Sequence, residues 1–237
     1  MTPIQQLMLG VGASKKTYLD DLFSTYIYNG TGSSGNAISN AINLSGEGGL
    51  VWVKNRGTSS RSHILFDSEI GDKYLRSDVS NEAADFYGQG ALNSSGFTVG
   101  GDWGTLNASG ENFASWTFRK AKGFFDVVTY TGNGTAGRTV AHSLGCVPGC
   151  IMIKRLDASA SWKVYHRSTG AEKALALDTN DAAVDSDNYW NDTEPTASVF
   201  TLKQNTHLNA NGGTYVAYLF AGGESTAATA RSVDFDG

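Results

Sequence analysis

This chain is written nearly twice, which leaves few folds open to it. Gly49-Leu-Val-Trp-Val-Lys54 returns as Gly149-Cys-Ile-Met-Ile-Lys154, and Leu106-Asn-Ala-Ser-Gly110 returns as Leu208-Asn-Ala-Asn-Gly212. Phe113-Ala-Ser-Trp-Thr-Phe118 returns as Tyr215-Val-Ala-Tyr-Leu-Phe220, and Phe23, Tyr28, Gly30 and Gly32 stand opposite Phe125, Tyr130, Gly132 and Gly134. The offset reads as 100 to 102 from end to end, so the copies differ by short insertions only. A constant period of this kind marks a duplicated folding unit. Positions matched between the copies are expected to be scaffold, and individual function is to be sought where they differ.

The units are all-β in expectation. The apolar runs are short, rich in β-branched and aromatic residues, and separated by turns carrying Gly and Asn, which tolerate positive φ. With 29 glycines, 3 prolines and 17% charged residues in 237, the composition suits short strands on tight polar turns. Strands are expected near 24–29, 50–55, 63–67, 96–100 and 113–119 in the first copy. In the second they are expected near 125–130, 138–142, 150–155, 162–166, 174–178, 199–203 and 214–220. Together these predict two tandem duplicated β-sandwiches with jelly-roll-like connections, preceded by a short N-terminal helical segment. The expected division is 1–20 for that segment, 21–120 and 121–221 for the sandwiches, and 222–237 for a flexible linker and the start of a possible further domain.

In the N-terminal segment Thr2-Pro3 is a helix start, and Ile4, Leu7, Met8 and Val11 fall on one helical face. A helix this short is marginal in water, so that face needs a partner: its own sandwich, a symmetry mate or another protein. The opening residues lack the basic and apolar regions of a signal peptide, and no run has the length of a membrane span, so synthesis in a cytosol is expected. Six Asn-x-Ser/Thr triplets are then better read as turn chemistry than as glycan acceptors. The net charge of −5 carries no basic patch and speaks against nucleic acid as a partner.

No catalytic pattern emerges: there is no nucleophile elbow, phosphate-binding loop or His-Glu-x-x-His pair. Neither metal nor cofactor is expected. Cys146 and Cys150 lack a second Cys/His pair for a metal, which leaves a buried free thiol or a local disulfide. His166 aligns with Phe66 and is expected to pack in a strand. The acidic stretch Asp178–Asp187 departs from the calcium-loop pattern, because Ala182 and Ala183 stand where a ligand and a glycine are required. Trp103 and Trp190 lie in polar turns. Each is either a plug for the end of a sandwich or a platform for a glycan. Trp52, Trp116 and Trp162 sit within strands and are expected in the core.

Several blocks carry a resemblance. Gly49-Leu-Val-Trp-Val-Lys-Asn-Arg-Gly57, Gly123-Phe-Phe-Asp-Val-Val-Thr-Tyr-Thr-Gly-Asn-Gly-Thr135, His142-Ser-Leu-Gly-Cys-Val-Pro-Gly149, Val164-Tyr-His-Arg167 and Tyr215-Val-Ala-Tyr-Leu-Phe-Ala221 resemble tail-fibre-like structural proteins of marine bacteriophages, especially those infecting cyanobacteria. The resemblance extends over essentially the whole chain, Met1–Gly10 included. Ser232-Val-Asp-Phe-Asp-Gly237 is similar to the first strand of a laminin-G/concanavalin-like lectin domain. The resemblance implies a non-enzymatic component of the virion tail, a homotrimer. Its N-terminal segment would dock to a tail protein of adaptor or nozzle type, and its sandwiches would act as spacers for host attachment. The alternative is an adhesin module that contacts host surface polysaccharide directly through Trp103 or Trp190.

Overall fold

The computed structural model describes residues 17–223. The expected N-terminal helical stripe and the tail after Gly223 lie outside the described residues. A 3-10 turn at Leu19–Asp21 precedes the first strand.

The first repeat contains β1 (Phe23–Asn29), β2 (Asn36–Ser39), β3 (Gly49–Asn55), β4 (Ile64–Asp67), β5 (Lys73–Tyr74), β6 (Ala84–Asp85), β7 (Gly90–Asn93), β8 (Gly96–Val99) and β9 (Asn112–Arg119). The second contains β10 (Phe125–Thr131), β11 (Arg138–Ala141), β12 (Pro148–Arg155), β13 (Lys163–His166), β14 (Lys173–Ala174), β15 (Val184–Asp185), β16 (Val199–Leu202) and β17 (Thr214–Ala221). In the first repeat an antiparallel sheet of order β1-β9-β3-β4 packs on a smaller one of order β2-β8-β7. In the second, β10-β17-β12-β13 packs on β11-β16. The chain passes from large sheet to small and back twice in each unit, as in the expected sandwiches.

Three apolar layers hold this arrangement. Strand side chains alternate between faces, so Val51, Val53, Phe113 and Tyr28 enter the first sandwich with Phe66 and Phe97. Ile151, Ile153, Tyr215 and Tyr165 enter the second with Phe200 and Trp190. The opposite faces of the two large sheets meet in a third layer, where Leu50, Leu65 and Leu75 pack against Val127, Met152, Trp162, Val164, Val216 and Tyr218. The two units therefore share no sheet; their large sheets stack face to face. Burial on both faces explains why Leu50-Val-Trp-Val53 and Cys150-Ile-Met-Ile153 read as unbroken apolar runs. Each fully buried side chain of this size contributes about 1.5–3 kcal/mol, so the third layer alone is a large part of the stability of the pair.

Matched positions make the same contacts twice. Asn107 and Asn209 are both fully buried. The Asn107 side chain accepts from Thr31 N and donates to Ser33 O and Gly101 O. Asn209 accepts from Asn133 N and donates to Thr135 O and Lys203 O. The Tyr28 hydroxyl donates to Leu106 O at 2.7 Å, and the Tyr130 hydroxyl donates to Leu208 O at 2.8 Å. Gly30 and Gly132 pass so close to the opposite loop that an added Cβ would lie 2.0 Å from Ala108 O and 2.2 Å from Ala210 O. Three of the Asn-x-Ser/Thr asparagines make the expected turns, with Asn43, Asn93 and Asn133 each accepting from the backbone N–H two residues on.

Several details depart from the expectation. β2, β5–β7 and β15 are strands that the sequence pattern does not announce, and 174–178 is a strand only at Lys173–Ala174. Ile151 pairs with Tyr165 as Val51 pairs with Phe66, and Cys150 pairs with His166 as Leu50 pairs with Asp67. Tyr165, rather than His166, therefore occupies the place of Phe66, and the offset falls to 99 in this strand. Cys146 and Cys150 are free and half-buried rather than fully buried, and burial pushes the Cys150 thiol up to about 11.

One end of the molecule gathers the chain's passages. Phe118 lies 4.9 Å from Phe23, 5.6 Å from Phe125 and 5.4 Å from Phe220 between ring centroids. The first strand begins there, the connection from β9 to β10 crosses there, and the last strand ends there.

Candidate functional site

The tryptophans separate into three environments. Trp190 is 2% exposed and packs edge-on to Tyr165 at 5.8 Å, so neither face of its ring is open to a glycan. Trp103 packs edge-on against Tyr74 at 5.0 Å and Phe86 at 6.0 Å, while its carbonyl accepts from Leu106 N and Asn107 N. Trp190 is part of the core of the second sandwich, and Trp103 packs against the core of the first. Trp162 is fully buried in the layer between the repeats, and its Nε1 donates to Arg76 O at 2.9 Å.

Trp52 and Trp116 differ from the core positions expected for them. They point away from the first sandwich, stand 6.4 Å apart edge-to-face, and are half-buried. Trp52 Nε1 donates to His63 Nδ1 at 2.9 Å, and burial, followed by the nearby Lys54 cation, holds His63 below the ordinary histidine range. Thr25 and Ile27 continue this face onto β1, where Ile27 is 61% exposed. The sequence holds a signal for this direction: Trp52 has the same strand parity as Lys54, while Val51 and Val53 take the other face.

The layer between the repeats contains its own polar contacts. The Tyr218 hydroxyl donates to Asp67 Oδ2 at 2.6 Å, and Asp67 Oδ1 accepts from Glu69 N and Ile70 N. Burial raises the Asp67 carboxyl above its usual range, and these three hydrogen bonds oppose the rise. Lys154 is fully buried and donates to Ser80 O and Arg155 O. Burial lowers its ammonium to about 8, against the pull of Asp178 and Glu82.

A groove of about 730 Å³ opens between the repeats, with Glu69, Lys73, Thr129, Tyr130 and Asp157 on its walls. Its charged groups are engaged by neighbours: Glu69 with Lys120, Lys73 with Asp85, and Asp157 with Arg155. In the acidic stretch, Asp178 accepts from Trp162 N and Asp187 pairs with Lys203. Among the described residues no three His, Cys, Asp or Glu side chains converge as a metal site. The candidate tail-docking residues Ile4, Leu7, Met8 and Val11 lie outside the described residues. An exposed aromatic that the sequence pattern does not single out is Tyr87, 80% exposed on a turn at positive φ.

No curated protein and no solved structure matches the chain. One family does, over residues 19–228, a span that takes in both repeats as one unit. The chain belongs to the family described as Domain of unknown function (DUF7483).

Proposed function

We propose that the chain is a non-enzymatic component of a phage virion, the N-terminal part of a tail fibre. In this reading residues 1–20 anchor to a tail protein through Ile4, Leu7, Met8 and Val11, and the paired sandwiches form a rigid block that spaces the host-attachment parts. The chain acts as a homotrimer in the tail after synthesis in the host cytoplasm. The observation that carries the reading is the third apolar layer, which packs the two duplicated units against each other as one block. Because the chain enters and leaves at one end, the block stands beside the fibre's path.

The test is a pull-down of fibreless tails with the intact chain and with a chain lacking residues 1–20. Retention of the intact chain alone is expected; equal retention would move docking onto the sandwiches, and no retention of either would overturn the reading. Tyr87 favours a second reading, an adhesin that contacts host glycans, because a large exposed aromatic on a turn is a usual sugar-stacking group. Saturable glycan binding abolished by Tyr87→Ala would support it, and silence across a broad glycan panel would remove it.

A further inference from the structure

The outer faces of the two large sheets are built from matching rows. In the second repeat the row Val127, Tyr218, Met152 and Val164 is 1%, 0%, 6% and 8% exposed, because the first repeat covers it. In the first repeat the matching row is Thr25, Trp116, Trp52 and Leu65. Only Leu65 of that row is fully buried; Trp52 and Trp116 are half-buried, and Thr25 is exposed, as is Ile27 beyond it. Among the described residues the sheets overlap on the β3–β4 side and leave the β1–β9 side uncovered.

We propose that this uncovered half, formed by Thr25, Ile27, Trp52, Trp116 and His63, is a self-association surface on which a second copy of this chain docks. Three observations select that occupant. The surface is continuous with an interface already formed, since Trp52 packs at the border of the layer between the repeats. The matching row of the second repeat is covered by a sheet of the same kind, so the molecule itself contains the pairing this face makes. Among the described residues β1 is also an edge strand, paired on one side only, and such edges invite another chain. The cation on this face, Lys54, is turned to the carbonyls of Ser59 and Arg61. The inference goes beyond the proposed function and takes no copy number from it.

Sedimentation velocity of the full chain over a wide concentration range tests it, beside Ile27→Arg and a chain lacking residues 1–16. The native chain and the truncated chain are expected to associate. Ile27→Arg is expected to weaken association about 100-fold, the loss typical of a central interface residue, with near-ultraviolet circular dichroism unchanged. A native chain monomeric at every concentration would overturn the proposal, as would an Ile27→Arg chain that associates normally. Association lost with residues 1–16 alone would also overturn it, by assigning assembly to that segment. Tail docking by a monomeric chain would sink this face and leave the tail-anchoring reading standing; self-association without tail docking would do the reverse.

Discussion

The two repeats have the same interior and different exteriors. Asn107 and Asn209, Tyr28 and Tyr130, and Gly30 and Gly132 make equivalent contacts inside each sandwich. On the outer face, by contrast, Tyr218 is sealed while its counterpart Trp116 is half open. Duplication preserved what each unit needs to fold and released the outer face to diverge. One copy's face became an internal joint, and part of the other's remained a surface.

Truncating the matched pair puts this contrast to its hardest test. Tyr218→Ala removes a fully buried ring and is expected to cost about 3–5 kcal/mol in urea unfolding, against about 1–2 kcal/mol for half-buried Trp116→Ala. Equal losses would mean that the faces are equivalent after all. Next come the scaffold asparagines: Asn107→Ala and Asn209→Ala each remove a fully buried amide together with its three hydrogen bonds to the backbone, and are expected to cost about 2–3 kcal/mol apiece. Unequal losses would show that the interiors have diverged too.

Smaller effects probe the joint. Asp67→Ala leaves the Tyr218 hydroxyl and two backbone N–H groups without their acceptor, an expected loss of about 1–3 kcal/mol, and Asp67→Asn should cost less. With the folded carboxyl raised, its contribution is full at acid pH and is lost as pH rises through the folded value. Asp67→Asn should remove that part of the pH dependence. Lys154 is lowered instead, to about 8 in the folded chain, so its contribution is present at high pH and lost as pH falls through that value. Stability is expected to rise by about 1–2 kcal/mol between neutral and mildly alkaline pH, and Lys154→Met should flatten the rise. Urea midpoints measured across that range check both variants.

The interior is legible in the sequence because it is written twice. Leu106-Asn-Ala-Ser-Gly110 and its copy mark the buried asparagines directly. The short strands β5–β7 are not legible, since runs this brief carry too little periodicity. Sequence alignment misplaces His166 because a single-residue shift in β13 cannot be located without the pairing register. Strand membership alone assigns Trp52 and Trp116 to the core, whereas the parity that Trp52 shares with Lys54, and the pairing of Trp116 with Thr25, give their true direction.

The phenylalanine cluster decides how the molecule responds to pulling. Tension applied through Thr17 and Gly223 acts at that end alone, where Phe23 pairs with Phe118 and Phe220 pairs with Phe125. Among the described residues β1 has one neighbour, so it is peeled from β9 one rung at a time, while β17 is held between β10 and β12. Under load the first strand should therefore yield before anything else, lengthening the chain while the second sandwich stays closed.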